Sequence, residues 1–333
     1  MEQNQTQNVL AYVETAGGKP VNVGLELLTL ARTIADAAGQ KVTAVLIGSG
    51  LDEAAQRVAA LGADKVVVVD DPAYTAFSMD EYTGVLEQLV KDENPAVFLM
   101  GNTPQGKGIV PRLAARFQSG CVADVTAVSI EDGALHWITP RFGGTVLAEE
   151  VIENSAVQFA TVRTGAFSKP ETAQNTAPVE KKAVSVPADS IRTQIREAVK
   201  ELTESVNLED ADVIVSGGRG MGSAENFKLV EELAALLGGV VGATRPAIED
   251  GWVSRAHQVG QSGKIVAPKL YIACGISGAT QHVSGMSSSG FVVAINKDED
   301  AAIFDVANVG IIGDAVKVIP AMIEEIRKAR AEA

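Results

Sequence analysis

Apolar and polar positions between residues 9 and 117 alternate in two rhythms. Short apolar runs, rich in β-branched residues, occupy 9–13, 42–47, 65–69 and 96–100 and predict buried strands. Between them, over 25–38, 52–61, 79–91 and 107–117, apolar residues recur three and four positions apart, which is the spacing of an amphipathic helix. Ser78 stands where an N-cap hydroxyl is favoured, and Gly48-Ser49-Gly50 and Asp70-Asp71-Pro72 close two of the strands. This alternation predicts a parallel sheet with helices on both faces.

After Gly120 the helical rhythm stops. Residues 122–130, 134–139, 145–152 and 157–163 read as successive strands, expected to extend the same sheet or to form a small antiparallel layer. Pro170, Pro178 and Pro187 punctuate residues 168–187 among Lys, Glu, Thr and Ala, a linker composition that is expected to act as a hinge and leave a second domain mobile. An amphipathic helix is predicted from 191 to 205. Alternation then restarts with a strand at 212–216, a helix at 225–237 ended by Gly238-Gly239, strands at 269–274 and 291–295, and a closing helix at 314–329. The pattern predicts an α/β chain of two doubly wound domains, the first with extra strands: 1–187, a linker helix over 188–209, and 210–333. Such sheets bind ligands at the carboxyl ends of their strands.

Composition narrows the function. The 333 residues are 46% hydrophobic and 21% charged, enough apolar mass for two cores. A net charge of -14 argues against nucleic-acid binding by bulk electrostatics and against anionic membrane surfaces. Cys121 and Cys274 form no CxxC pair, so neither zinc nor an iron–sulfur cluster is suggested. Met1-Glu2-Gln3-Asn4-Gln5 carries no basic or apolar signal, and no run is long enough to span a bilayer. A cytoplasmic, prokaryotic protein is expected.

Unusual local chemistry concentrates in five loops of the last third. Gly217-Gly218-Arg219-Gly220 follows a strand, and glycines there allow close backbone approach to an anion; a plain turn fits the fragment equally well. Gly242-Ala243-Thr244-Arg245-Pro246 reads either as a ligand loop or as a turn with a solvated arginine. The segment 258–264 (Gln-Val-Gly-Gln-Ser-Gly-Lys) packs glycines, amides, a hydroxyl and a lysine together without the Walker spacing of a P-loop. The strand Leu270-Tyr271-Ile272-Ala273-Cys274 runs into Gly275-Ile276-Ser277-Gly278-Ala279-Thr280-Gln281-His282, a Gly/Ser turn whose backbone N–H groups suit a phosphate; a lone His282 is more often structural. Asn296-Lys297-Asp298 ends another strand. Five polar loops at strand ends of one small domain argue together for a large nucleotide ligand.

The stretch 270–282, continuing through Gly285-Met286 and 294–298, resembles the signature of electron transfer flavoprotein alpha subunits. Gly217-Gly218-Arg219-Gly220 with Glu225-Asn226-Phe227-Lys228 is similar to that family's first FAD loop, and 258–266 to its Gln-Val-Gly-Gln-Thr-Gly-Lys segment. The likeness runs from about 210 to the end; the first domain resembles the family more loosely, in layout and over 106–116. It implies a flavodoxin-like FAD-binding domain at 210–333 and a subunit-interface domain at 1–187. It also implies FAD contacts from Arg219, Thr244, Arg245, Val259, Gly260, Gln261, Ser262, Ser277, Gly278, Ala279, Thr280, Gln281, His282, Asn296 and Asp314. Within that set Arg245 lies against the flavin ring and stabilises its anionic reduced forms. Ser262 bonds near N5 and His282 near the pyrimidine oxygen. Gln261 and Gln281 hold the ring and ribityl chain. Arg219 and Ser277-Gly278-Ala279 bind the pyrophosphate, and Asn296 and Asp314 hold the adenosine half. Thr244 stands for the family's usual Ser and Ser262 for a frequent Thr, each keeping a hydroxyl; Thr280 replaces an aliphatic residue with no evident consequence.

The resemblance further implies an electron carrier paired with a beta subunit that holds AMP. FAD accepts electrons from acyl-CoA dehydrogenases or similar flavoenzymes and passes them on singly, with a quinone oxidoreductase or ferredoxin as possible further partners. Two alternatives stand beside it. One is a bifurcating complex, an enzyme whose beta subunit holds a second FAD and oxidises NADH, splitting electrons between ferredoxin and an acyl-CoA. The other is a nucleotide-binding sensor or structural subunit. No nucleophile–base pair or paired carboxylates suggest substrate chemistry, and His136 and His257 lie outside the flavin set.

Overall fold

The computed structural model describes residues 8–144, 146–171, 176–193 and 208–332. The chain divides into two compact units, Met1–Val199 and Lys200–Ala333. The helix predicted over 191–205 lies beyond 193 outside the described residues, and 191–193 are not helical.

In the first unit strand and helix alternate: β1 (Asn8–Tyr12), a two-residue-arm hairpin of β2 (Thr15–Ala16) and β3 (Lys19–Pro20), α1 (Asn22–Ala38), β4 (Lys41–Gly48), α2 (Asp52–Ala59), β5 (Lys65–Asp70), α3 (Met79–Glu93), β6 (Val97–Gly101) and α4 (Pro104–Arg116). There follow β7 (Cys121–Val125), β8 (Ala127–Glu131), β9 (Ala134–Arg141), β10 (Val146–Val151), β11 (Gln158–Val162) and β12 (Val179–Lys181). Seven strands form one parallel sheet in the order β12-β5-β4-β1-β6-β11-β7. Successive side chains of a strand point to opposite faces, so Val9 and Ala11 enter one core with Leu27 and Ile34, while Leu10 and Tyr12 enter the other with Leu86 and Phe98. Burial on both faces is why these strands read as unbroken apolar runs.

The single strand expected over 122–130 is two strands. Asp124 takes a left-handed conformation (φ 67°), fixed by Arg163 Nε at 3.0 Å and Asn102 Nδ2 at 2.8 Å, both donating to its Oδ1. Asp124 shifts the register within β7, which still pairs at Val125; past Thr126 the chain leaves the parallel sheet, and β8, β9 and β10 form a separate three-stranded antiparallel layer. Both expected outcomes therefore occur, β7 and β11 in the large sheet and β8–β10 outside it. Ser78 occupies the N-cap position of α3 with extended backbone, but its side chain makes no capping bond.

Residues 168–187 depart further from expectation. β12 lies within them and pairs parallel with β5, and Val66 N–H donates to Pro178 O at 2.9 Å. Lys182 and Lys65 both reach Glu93, at 2.7 and 3.0 Å. Val184 and Val186 pack on the core, and Tyr74 donates to Val184 O. The described part of this segment closes the sheet edge, so it is not the hinge its prolines suggest.

The second unit contains β13 (Val213–Gly217), α5 (Ala224–Leu237), β14 (Val240–Ala243), α6 (Arg245–Glu249), β15 (Leu270–Cys274), α7 (Thr280–Val283), β16 (Phe291–Asn296), β17 (Val309–Ile312) and α8 (Ala315–Glu332). Ser223 caps α5 by accepting from Asn226 N–H, and Gly238 ends it in left-handed conformation. Phe227, Val230 and Leu233 of α5 meet Ile319 and Ile323 of α8 over one sheet face, and Tyr271, Val266 and Met286 fill the other. All pairs are parallel, in the order β14-β13-β15-β16-β17. Numbered within the unit this is 2-1-3-4-5, the flavodoxin-like winding, with its switch point between β13 and β15. Among the described residues no helix is long and apolar enough to cross a membrane.

Candidate functional site

At the switch point two loops are joined through their backbones. Gly218 N–H donates to Cys274 O at 2.9 Å and Gly220 N–H to Gly275 O at 3.0 Å. A Cβ on Gly218 would lie 2.4 Å from Gly275 O and one on Gly220 2.6 Å from it, so only glycine permits this approach. Beyond the joint, the backbone N–H groups of Ser277, Gly278 and Ala279 make no hydrogen bond among the described residues. Three unsatisfied donors in succession form a ready acceptor for an anion. Arg219, exposed beside them, forms no ion pair among the described residues.

The loops after β13, β14, β15, β16 and β17 surround a cavity of about 790 Å³. That volume sits toward the upper end for small-molecule sites. Every residue predicted for the site lines it except Gly278 and Thr280. Gly278 instead packs against the backbone of Ala302 and Ile303, where a Cβ would come within 2.1 Å of Ile303 N. Thr280 is exposed at the start of α7.

One wall comes from β14 and α6. Thr244 N–H donates to Gly217 O at 3.1 Å, and its buried Oγ1 has no hydrogen-bond partner among the described residues. The Arg245 side chain is 66% exposed and, among the described residues, pairs with Glu249 alone, at 2.7 Å. The opposite wall is the 258–266 loop. Val259 N–H donates to Ala243 O, and Gln261 N–H to Gln281 O at 2.7 Å, tying this loop to β14 and α7. Gln258 Nε2 donates to Ser262 Oγ at 2.9 Å, so the hydroxyl proton of Ser262 stays available. Gln258 is 5% exposed and absent from the sequence-predicted set; only its place in the loop could have marked it.

His282 is buried, and burial pushes its pKa down to about 4 against the opposing bond to Val259 O. Nδ1 lies 3.1 Å from Val259 O and Nε2 2.9 Å from the Tyr271 hydroxyl. Asn296 spends its amide inside the protein, donating to Ile276 O at 2.8 Å and accepting from Asp298 N–H at 3.0 Å. Asp314 caps α8 by accepting from Val316 N–H at 3.1 Å. Lys297 and Asp298 also line the cavity, though the sequence reading gave them no contact there.

These features fit a dinucleotide carrying a pyrophosphate. The glycine joint leaves room for it, the free N–H groups and Arg219 match its charge, and Thr244 Oγ1 offers an orphaned polar atom. Fold and site together define a nucleotide-binding protein of the doubly wound α/β class. Comparison with known proteins sharpens this. The family model "Electron transfer flavoprotein domain" matches residues 9–187, and "Electron transfer flavoprotein FAD-binding domain" matches 207–287. The chain is 44% identical over 330 residues to an electron transfer flavoprotein subunit alpha of Thermoanaerobacterium thermosaccharolyticum, covering 98% of this chain and 99% of that one. It is 43% identical to the corresponding Megasphaera elsdenii subunit, covering 98% of each. It is also 35% identical to subunit LctC of an Acetobacterium woodii lactate dehydrogenase (NAD(+),ferredoxin), over 96% of this chain and 77% of that one. The chain belongs to the electron transfer flavoprotein family as an alpha subunit, an electron carrier whose second unit is the FAD-binding domain.

Proposed function

We propose that the cavity of the second unit seats FAD with its pyrophosphate on the Ser277–Ala279 N–H groups and Arg219, and its flavin ring between Arg245 and the 258–266 loop. Bound FAD supplies reversible uptake of two electrons and their release one at a time. Arg245 places positive charge where reduction adds negative charge, favouring the reduced ring. Ser262, its oxygen already accepting from Gln258, directs its proton toward the ring. Gln261 and Gln281 hold the ring and ribityl chain. Asp314 has acceptor capacity left for the adenosine half, where Asn296 acts by shaping the turn. The observation that carries this reading is the convergence of all five strand-end loops on one cavity with a glycine joint at the switch point.

In this reading the first unit meets a beta subunit. The antiparallel layer supports that assignment, because it exposes Val146, Leu147 and Val151 at 50%, 65% and 43%. FAD then receives electrons from an acyl-CoA dehydrogenase or similar flavoenzyme in the cytoplasm and hands them to a further partner. A second reading, in which the complex bifurcates electrons, is favoured by the likeness to the NAD- and ferredoxin-linked relative. One experiment separates them: purify the chain with its beta partner, release the nucleotides with acid and quantify them. Equal FAD and AMP support the carrier. Two FAD and no AMP support bifurcation. No FAD after attempted reconstitution overturns both.

A further inference from the structure

The anion-binding turn after β15 is backed by a second turn. Ser277 O accepts from Ile303 N–H at 3.1 Å. Gly278, left-handed at φ 88°, packs on the backbone of Ala302 and Ile303, where a side chain would collide. Among the described residues no peptide is cis. A trans peptide is planar, and its C=O and N–H point to opposite sides. With the Ser277 carbonyl turned to Ile303, the Gly278 N–H is turned away from it, to the side where Ser277 and Ala279 line the cavity. Glycine leaves such a peptide able to flip, because positive and negative φ cost it about the same. The flipped peptide would present a carbonyl oxygen where an anion is to bind.

Ile303 is itself held in place. The chain after β16 winds around Asp298, whose N–H donates to Asn296 Oδ1 at 3.0 Å. Asp298 Oδ1 accepts from Asp300 N–H at 3.2 Å, and its backbone carbonyl accepts from Ala301 N–H at 3.2 Å. This winding delivers the chain to the short 3-10 turn Ala302–Val306, closed by Phe304 N–H donating to Ala301 O at 3.0 Å. The Ile303 side chain is fully buried in the core, whereas Asp298 is exposed.

We propose that residues 298–303 brace the anion site: the Ile303–Ser277 bond locks the 277–278 peptide with its N–H facing the ligand, and Asp298 is the positioning residue that holds the brace. The pyrophosphate as ligand rests on the FAD reading above; the lock on the peptide does not.

Asp298 borders the cavity, and a carboxylate near a pyrophosphate opposes binding by its charge. Its contribution therefore comes through the acceptor oxygen that orders the turn. An amide keeps that oxygen, so Asp298→Asn preserves the brace and Asp298→Ala loses it.

The test uses the chain purified with its beta partner, as wild type, Asp298→Ala and Asp298→Asn, with FAD removed and then restored. Flavin fluorescence gives the dissociation constant of FAD, competition gives that of ADP, and hydrogen exchange at the Ile303 amide is read without ligand. Asp298→Ala is expected to weaken FAD and ADP alike by about fivefold to tenfold, the scale of one lost hydrogen bond, and to speed Ile303 exchange by a similar factor. The midpoint potential of the bound flavin stays unchanged, since the ring is seated by Arg245 and the 258–266 loop. Asp298→Asn binds at least as tightly as wild type and keeps Ile303 protected. Wild-type affinity in Asp298→Ala overturns the proposal. An Asp298→Asn variant as weak as Asp298→Ala overturns it as well, by assigning the effect to charge. Lost affinity with Ile303 protection unchanged makes Asp298 a direct ligand contact, which also overturns it. A wild type that takes up neither FAD nor ADP overturns the functional reading instead, and Ile303 exchange in the same ligand-free samples still decides the brace.

Discussion

Gly220 and Gly275 face each other across the ends of β13 and β15, the N–H of the first 3.0 Å from the carbonyl oxygen of the second. A Cβ on Gly275, which is left-handed at φ 61°, would lie 2.8 Å from Gly220 C. Neither contact has a flexible side chain that could yield. Gly220→Ala or Gly275→Ala is expected to destabilise the FAD domain by about 1–3 kcal/mol and to weaken FAD retention at least tenfold. Urea unfolding together with flavin fluorescence titration measures both. Unchanged FAD affinity in either variant removes the joint from the binding site.

Arg245 and Glu249 form an exposed i,i+4 pair at 2.7 Å. Exposed pairs contribute little to stability, so Arg245→Ala should leave unfolding within about 0.5 kcal/mol of wild type. The flavin midpoint potential should fall, because positive charge is withdrawn from beside the reduced ring. Glu249→Gln should move it the other way by removing the opposing charge. Potentials that shift in the same direction for both variants contradict a charge role for Arg245.

Ser262→Thr keeps the hydroxyl and is expected to preserve FAD affinity and potential, whereas Ser262→Ala should lower the potential. Gln258→Leu removes the donor that orients that hydroxyl, 2.9 Å away, and should reproduce part of the Ser262→Ala change. Spectroelectrochemical titration of the three variants gives the order.

Glu93 accepts from Lys182 and Lys65 at 2.7 and 3.0 Å and pins β12 to the sheet. Burial raises its pKa, but the bonds from the two lysines outweigh burial and leave it lowered. A lowered carboxyl stabilises the fold fully above the ordinary glutamate range and loses that contribution as pH falls through its folded value. Glu93→Gln should therefore cost about 2 kcal/mol at pH 7 and progressively less as the medium is acidified below the usual glutamate range. Urea midpoints across pH test the sign; a difference that grows on acidification refutes it.

Much of this architecture was legible because burial on both faces writes itself as apolar runs. The strand at 42–47 and the helix at 25–38 were found within a few residues of their bounds. What escaped was set by partners rather than by local pattern. β14 and β17 are edge strands, only partly buried, and β12 is three residues long, with a register imposed by Val66, Val67 and Val68. The left-handed residue inside β7, Asp124, is bonded by Arg163 and Asn102, distant in sequence. In the site, the glycines and strand ends singled out in the sequence border the cavity, while the side chain of Thr280 and the Cα of Gly278 do not line it. Gln258 bonds another side chain of its own loop, Ser262, and no local motif distinguishes such a residue from ordinary core.

β5 offers an apolar edge, Val66 to Val69, that is covered by the last strand of its unit to leave the ribosome. Until residues 179–182 have emerged, that edge has unpaired N–H and C=O groups and can recruit a strand from another nascent chain. Lys65, which later helps lock β12 in place through Glu93, also stands as a charged guard at that edge during synthesis. The order in which the chain is made thus sets a window of aggregation risk that closes only when its proline-rich stretch docks.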